Sequence, residues 1–118
     1  MTIEGQVIKG QQLGRKMGFP TANMDAAGIE AENGVYASQV EIDGIRYRAM
    51  SNIGVRPSVD GRQRLLETFL FDFDGDLYGR NITVELLQKI RDEHKFESVE
   101  ALQRQLVDDA RTIRNMQL

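Results

Sequence analysis

The stretch "GVYASQVEIDGIRYRAMSNI", residues 34–53, indicates how this chain folds. Two runs of residues that favour β-strands flank the dipeptide Asp43-Gly44. A two-residue Asp-Gly connection is a strong hairpin signal, because glycine tolerates the positive φ that a type I′ turn requires. The stretch therefore predicts two antiparallel strands joined by a tight turn.

Further strand-like segments lie on both sides of this hairpin. Strands are predicted at residues 4–10 (EGQVIKG), 64–73 (RLLETFLFDF) and 81–90 (NITVELLQKI), with a loop at 56–62 (RPSVDGR) and a turn at 74–79 (DGDLYG). Many short strands with glycine-containing turns and no helices between them are typical of an antiparallel sandwich or a small barrel. The pattern therefore predicts a mainly β fold.

The end of the chain changes from strand periodicity to helix periodicity. From residue 98 to about residue 114, apolar residues recur at helical spacing: Val99, Leu102, Leu106, Ala110 and Ile113. Ser98 is suited to be the N-cap, and Glu100 lies in the first turn, where the helix dipole favours an acid. The pattern predicts one C-terminal helix whose apolar face packs on the strands.

The composition narrows the class of protein. With 118 residues, of which 41% are apolar and 28% charged, the chain is predicted to fold as a single domain over residues 1–118. A net charge of -3 gives no bulk attraction to nucleic acid or to anionic membranes, so neither is an expected partner. The chain has no cysteine and one histidine, which excludes disulfides and Cys-ligated or His-rich metal sites. Because the start of the chain lacks an export signal, we expect a cytoplasmic protein. A monomer is a separate expectation.

The segment "GRKMGFPTANM", residues 14–24, is dense in groups that suit a phosphate site, although it has neither P-loop nor dinucleotide-binding spacing. Pro20 biases the chain toward an extended path, on which Thr21 and Asn23 project to one face. Their neutral oxygens are ligands that Mg²⁺ accepts when substrate phosphates supply the negative charge, and Arg15 could neutralise those phosphates. A glycine-rich surface turn with local hydrogen bonds is the competing interpretation.

Glu67 is a carboxylate in a predicted strand, and its same-face neighbours are apolar: Leu65, Phe69, Phe71 and Phe73. Burial disfavours the charged form of a carboxylate and raises its pKa, which is one way to build a general base. Two other interpretations stay open at this point. The row could twist toward solvent at Glu67, or Glu67 could pair with an arginine.

Taken in chain order, these segments resemble the riboflavin kinase family, including the kinase half of bacterial bifunctional riboflavin kinase/FAD synthetases. The resemblance spans nearly the whole chain and rests on the succession GQVIKG, LGRKMGFPTAN, NGVYA, NIGVRPSV, LLETFLFDFDGDLYG, IRDEHKF and SVEALQRQLVDDA. It implies a six-stranded antiparallel Greek-key β-barrel with a C-terminal helix. It also implies transfer of the γ-phosphoryl group of ATP to the 5′-hydroxyl of riboflavin, giving FMN and ADP. Mg²⁺ is the implied metal, with Zn²⁺ or Mn²⁺ as alternatives.

The resemblance also implies roles for particular residues. Thr21 and Asn23 would hold the metal and its bridging phosphates, and Glu67 would be the general base on the ribityl hydroxyl. The implied nucleotide-binding residues are Gly10, Arg15, Thr21, Asp72 and Tyr78. The implied flavin-binding residues, which would close over the ring, are Arg91, His94 and Phe96.

This chain departs from the family pattern in two respects. Family members commonly carry a histidine two residues after the glutamate, where this chain has Phe69, which could alter the hydrogen bonding near Glu67. The chain also lacks an N-terminal nucleotidyltransferase domain, so we expect either a standalone kinase or a piece of a longer chain, and no FAD synthesis. A rival hypothesis is a barrel that binds flavin or nucleotide without catalysis.

Overall fold

The structure, a computed structural model, describes residues 1–9 and 20–117. Its elements are β1 (Thr2–Gln6), β2 (Thr21–Asp25), β3 (Gly34–Ile42), β4 (Ile45–Ser58), β5 (Gly61–Leu70), β6 (Asn81–Arg91) and α1 (Val99–Arg114). The mainly β prediction is therefore confirmed. The first strand lies earlier than predicted, at residues 2–6 instead of 4–10.

The six strands form one antiparallel sheet in the order β1-β6-β3-β4-β5-β2. The strands β3 to β6 make a Greek key, because β6 returns to lie beside β3 after the β3-β4-β5 meander. The sheet curls until its two edges approach each other, and the N–H of Ile8 donates to the carbonyl oxygen of Asn23 at 2.7 Å. The result is the nearly closed Greek-key barrel that the resemblance implies.

The predicted hairpin is present between β3 and β4. Ile42 lies opposite Ile45, and the two turn residues between them, Asp43 and Gly44, have φ values of 53° and 81°. Two successive positive φ values are the signature of a type I′ turn. The type I′ turn predicted at Asp43-Gly44 is therefore confirmed.

The predicted loop at 56–62 is wrong, because β4 continues to Ser58 and pairs with β5 in a long second hairpin. Pro57, which suggested a loop, lies opposite Arg62 in this hairpin. Beyond Ile53, β4 pairs with β5 but not with β3. This part of β4 is an edge, where a proline without an N–H is tolerated.

The sheet buries side chains on both of its faces. The interior of the barrel holds a large cluster that includes Met24, Ile53, Leu66, Leu70 and Val84. A second cluster lies on the outer face, where α1 packs Leu106, Ala110 and Ile113 against strand residues that include Val35, Met50 and Phe69. As a consequence, Leu65 to Leu70 of β5 are all buried, although simple alternation would bury every second residue. The outer face beside α1 is the part of the fold that carries the site described below.

The helix α1 begins and ends as predicted. The side chain of Ser98 accepts a hydrogen bond from the N–H of Ala101 at 3.1 Å, as an N-cap does. At the other end, Nη1 of Arg48 donates to the carbonyl oxygens of Ile113 at 3.3 Å and Met116 at 3.0 Å. Val99 is 50% exposed instead of buried, and it lines the pocket described below. No helix in the described part of the chain is long and apolar enough to cross a bilayer.

The connection between β2 and β3 is held by one arginine side chain. Arg64 donates from Nε to the side chain of Asn33 at 2.8 Å and from Nη1 to the carbonyl oxygens of Ala26 at 3.1 Å and Ile29 at 2.7 Å. Its own carbonyl oxygen accepts from the N–H of Ala26 at 2.9 Å. These bonds satisfy an irregular backbone segment and keep β2 in register against β5.

Candidate active site

Three neighbouring strands place polar side chains in one row on the outer face of the barrel. Asn23 of β2 lies directly opposite Glu67 of β5, and Glu67 lies directly opposite Asn52 of β4. Opposed residues of antiparallel strands share a face, and so do residues two apart along one strand. Thr21 therefore joins the same group from the start of β2. The prediction that Thr21 and Asn23 project together from an extended strand is confirmed.

Three oxygen atoms in this group are buried without a hydrogen-bond partner among the described residues. They are Thr21 Oγ1, Asn23 Oδ1 and Asn52 Oδ1. The side chains of Asn23 and Asn52 belong to residues that are only 2% and 9% exposed. Buried polar groups in proteins are nearly always paired, and an unpaired one costs about 1–3 kcal/mol. Three unpaired acceptors on one face indicate a surface prepared for a ligand.

Glu67 is 6% exposed and ion-pairs with Arg56, whose Nη2 and Nε lie 2.8 and 3.0 Å from Oε1 of Glu67. The pKa of Glu67 is raised, because its burial outweighs the attraction of the Arg56 guanidinium, and the nearby Glu93 raises it further. The predicted direction of the shift is therefore confirmed. Of the two interpretations that the sequence left open, the arginine pair is the one observed.

The predicted apolar row around Glu67 is only partly present. Leu65 and Phe69 flank Glu67 in β5 and are buried. The strand ends at Leu70, and Asp72 turns the chain with a φ of 58°. Alternation is therefore lost, and Phe73 instead packs with Tyr47 beside the interior cluster, with their ring centroids 5.0 Å apart.

Arg56 connects Glu67 to the segment that follows β6. Its Nη1 lies 2.5 Å from Oε1 of Glu93, so one guanidinium serves two carboxylates. Gly54 makes room for this arrangement, because a Cβ at position 54 would overlap the carboxylate of Glu93. Residues two apart along a strand share a face, as Asn52, Gly54 and Arg56 do on β4. This spacing in the sequence could have indicated that they lie together. The sequence interpretation placed Arg56 in the loop predicted at 56–62, and it did not single out Asn52, which lies within the strand that it predicted.

A pocket of about 700 Å³ opens beside Glu67, which is within the range of small-molecule sites. The sheet, the segment after β6 and the start of α1 form its walls. Its lining residues are Asn52, Val55, Arg56, Glu67, Phe69, Arg91, Glu93, His94, Lys95, Phe96, Glu97, Ser98, Val99, Leu102 and Leu106. Thr21 and Asn23 lie next to this pocket, on the strand opposite Phe69 and Glu67.

The three residues predicted to bind flavin all line this pocket. The rings of His94 and Phe96 meet edge to face with centroids 4.8 Å apart, and the guanidinium carbon of Arg91 lies 5.7 Å from the Phe96 centroid. Arg91 also forms an ion pair with a residue of α1. Its Nε and Nη2 donate to the buried carboxylate of Asp109 at 3.1 and 2.8 Å, respectively. The pocket wall is therefore anchored to the helix.

The residues predicted to bind the nucleotide are less closely grouped. Asp72 and Tyr78 are exposed and do not line the pocket. Oδ2 of Asp72 lies 3.5 Å from Nη1 of Arg114. Gly10 and Arg15 lie outside the described residues. The nucleotide-binding assignments of these four residues stay predictions.

The chain is similar to known riboflavin kinases. The family model Flavokinase, described as riboflavin kinase, matches residues 1–117. The chain is 46% identical over 108 residues to the RNA-binding riboflavin kinase RibR of Bacillus subtilis, covering 91% of this chain and 47% of that protein. It is 43% identical over 116 residues to the bifunctional riboflavin kinase/FMN adenylyltransferase of Escherichia coli K12, covering 95% of this chain and 36% of that protein. The chain thus spans less than half the length of these curated relatives.

Two solved structures share the fold. A crystal structure described as a macrolide-efflux protein from Streptococcus pneumoniae matches with a TM-score of 0.83 and 39% identity, covering 98% of this chain and 39% of that one. The riboflavin kinase of Trypanosoma brucei matches with a TM-score of 0.61 and 25% identity, covering 98% of this chain and 78% of that one. Because the family model covers nearly the whole chain, the chain belongs to the riboflavin kinase (flavokinase) family.

Proposed function

We propose that this chain transfers the γ-phosphoryl group of ATP to the 5′-hydroxyl of riboflavin, giving FMN and ADP. The observation that carries the proposal is the position of Glu67, a buried carboxylate with a raised pKa. It lies between a pocket of about 700 Å³ and the β2 oxygens that have no partner in the part of the chain that the structure describes. Family membership supports the same reaction. The two substrates would meet at Glu67, with nucleotide phosphates on the β2 side and flavin on the pocket side.

The unpaired oxygens of Thr21 and Asn23 fit a hard divalent cation. The described part of the chain contains no group of three or more His, Cys, Asp or Glu side chains that could hold a metal. Thr21 Oγ1 and Asn23 Oδ1 are neutral, so the charge of the ion would be balanced by nucleotide phosphates, as is common for Mg²⁺. When bound, Mg²⁺ would neutralise charge on the phosphate oxygens. We therefore propose Mg²⁺ in preference to Zn²⁺, with Mn²⁺ as the alternative that accepts the same oxygen ligands.

Glu67 would act on the attacking hydroxyl. As the new bond forms between the 5′-oxygen and the γ-phosphorus, the hydroxyl proton passes to the carboxylate, and the bond to the bridging oxygen of ADP breaks. Arg56 would hold the carboxylate in place through its bonds at 2.8 and 3.0 Å. Phe69 is 4% exposed and would help to keep water away from the reacting groups.

The pocket would hold the flavin. Phe96 and His94 offer aromatic faces and edges to a planar ring, and Arg91 is kept beside them by its pair with Asp109. Gly10, Arg15, Asp72 and Tyr78 stay predicted nucleotide contacts, as the resemblance implies.

A direct assay tests the activity. Riboflavin, ATP and Mg²⁺ incubated with the protein are expected to yield FMN and ADP in equal amounts, measured by chromatography. Lumiflavin, which lacks the hydroxylated chain, is the matched control and should consume no ATP. Binding of riboflavin without ADP formation, with Mg²⁺, Zn²⁺ and Mn²⁺ each tried, would instead identify the non-catalytic flavin-binding module.

The substitution Thr21→Val tests the cation and phosphate site. Valine has nearly the shape of threonine and removes an unpaired buried hydroxyl, so the free energy of unfolding should stay unchanged or rise by about 1 kcal/mol. Affinity for Mg-ATP should fall at least about 10-fold, since a hydrogen-bonding or ligand oxygen is lost. Isothermal titration and urea denaturation measure the two effects. Thr83→Val on β6 is the control, and equal Mg-ATP affinity in both variants would contradict the role of Thr21.

The remaining expectations stay predictions: a cytoplasmic location, a monomer, no nucleic acid or membrane partner, and a single domain over residues 1–118. One relative is described as RNA-binding, which is a statement about that protein. The net charge of -3 is the basis for expecting no such partner here.

A further inference from the structure

Asn52 has no part in the roles assigned so far, yet it is deeply buried beside Glu67. The residue is 9% exposed, and its Oδ1 is buried without a hydrogen-bond partner among residues 1–9 and 20–117. It lies on β4 directly opposite Glu67, on the same face, and it lines the pocket. The amide oxygen of Asn52 can therefore still accept a hydrogen bond, and it lies where the pocket meets the carboxylate of Glu67.

The surroundings of Asn52 do not favour a purely structural role. Its other cross-strand neighbour is Val35, which is fully buried and apolar. Phe69 and Leu106, which line the same pocket, are apolar as well. A leucine at position 52 would suit these neighbours and would avoid the cost of an unpaired buried acceptor. The asparagine is therefore better explained by a ligand that donates a hydrogen bond.

The ligand of Asn52 is not the cation proposed for Thr21 and Asn23. Asn23 and Asn52 lie on opposite sides of Glu67, so their Cα atoms are separated by two strand spacings, or roughly 10 Å. Ligand oxygens lie only about 2.1 Å from Mg²⁺, and asparagine side chains are too short to share an ion across that distance. Asn52 therefore lies on the pocket side of the Glu67 carboxylate, where the flavin would bind.

We propose that Asn52 is a specificity-determining residue that accepts a hydrogen bond from a hydroxyl of the polyol chain of the flavin. It would thereby select flavins with a hydroxylated chain over flavins that carry only an alkyl group at the same ring nitrogen. The inference rests on the proposed function, because it takes a flavin as the occupant of the pocket. A site built to hydrogen-bond a hydroxyl rejects an analogue that lacks it, since the buried polar group is then left unpaired.

The test compares two flavins in two variants. Riboflavin and lumiflavin are titrated into the wild type and into Asn52→Leu, with and without Mg-ADP, and binding is followed by flavin fluorescence. In Asn52→Leu, the Kd for riboflavin should rise about 10-fold to 100-fold, while the Kd for lumiflavin should change by less than about 3-fold. Asn81→Leu, at an exposed position on β6, is the matched control and should leave both values unchanged. If Asn52→Leu does not fold, Asn52→Ala is judged by the same ratio.

Each outcome bears on the inference. An equal loss of affinity for both flavins would assign Asn52 to packing of the ring pocket and overturn it. An unchanged riboflavin Kd, or a wild type that binds the two flavins equally or not at all, would also overturn it. The kinase assay is scored separately. If the selectivity depends on Asn52 but no FMN forms, the proposed activity is wrong and the assignment of Asn52 stands.

Discussion

Replacing Glu67 by glutamine is expected to lower kcat for riboflavin phosphorylation by about 10²-fold to 10⁴-fold, the usual contribution of a general base. Glutamine keeps the size of the side chain but accepts no proton at neutral pH. The Kd values for riboflavin and for Mg-ATP should change little, because glutamine fills the same place in the pocket lining, Arg56 keeps its pair with Glu93, and the oxygens of Thr21 and Asn23 are untouched. Single-turnover kinetics together with binding titrations separate the two effects.

Glu41→Gln is the matched control for this prediction, since Glu41 is an exposed strand glutamate that does not line the pocket. Its kcat should equal that of the wild type. An unchanged kcat in Glu67→Gln would show that Glu67 is not the base. A loss of kcat that is matched by an equal loss of affinity for both substrates would show instead that Glu67 shapes the site.

Replacing Asp109 by alanine is expected to lower the free energy of unfolding by about 3 kcal/mol, the lower end of the range for breaking a buried ion pair. The Asp109 side chain is 4% exposed and accepts hydrogen bonds from Arg91 and from Gln105, at 2.8 and 3.0 Å. Alanine would leave the largely buried Arg91 guanidinium without its carboxylate partner, with the hydrogen bond from Nη1 to the carbonyl oxygen of Asp92 remaining. The lower end of the range applies because the Arg91 side chain is 21% exposed, so water can solvate part of its charge. Urea denaturation measures the change from the midpoint at constant m-value.

The neighbouring aspartate provides the control. Asp108 precedes Asp109 on the same helix, but its side chain is 65% exposed and its distance of 3.6 Å to Arg111 is that of a weak surface pair. Asp108→Ala should therefore change the free energy of unfolding by less than about 0.5 kcal/mol. Equal losses in the two variants would indicate a general helix effect and contradict the importance of the buried pair.

The two arginine pairs suggest how the pocket keeps its shape. Arg56 ties Glu93 to the sheet, and Arg91 ties the end of β6 to α1 through Asp109. The segment that carries His94 and Phe96 begins directly after Arg91 and Glu93, the residues that these two anchors hold. Asp109→Ala is therefore expected to weaken riboflavin binding as well as stability, because it releases one of them.

Local signals in the sequence were enough to predict much of the fold. The dipeptide Asp43-Gly44 predicted the first hairpin, because its turn geometry depends on the two turn residues themselves. Ser98 and the apolar spacing after it predicted α1, because capping and helix periodicity are also local. The loop predicted at 56–62 failed for a non-local reason. Whether Pro57 is tolerated in a strand depends on which neighbours that strand has.

The candidate site divides in the same way. The sequence by itself predicted that Thr21 and Asn23 bind the metal and that Glu67 is the base, through an extended segment, an isolated carboxylate and an ordered family pattern. Only the tertiary structure brought Asn23, Glu67 and Asn52 into one row and paired Glu67 with Arg56. It also left three buried oxygens without partners among the described residues. Strand order and register bring together residues that are far apart along the chain, whereas local patterns report the preferences of one segment at a time.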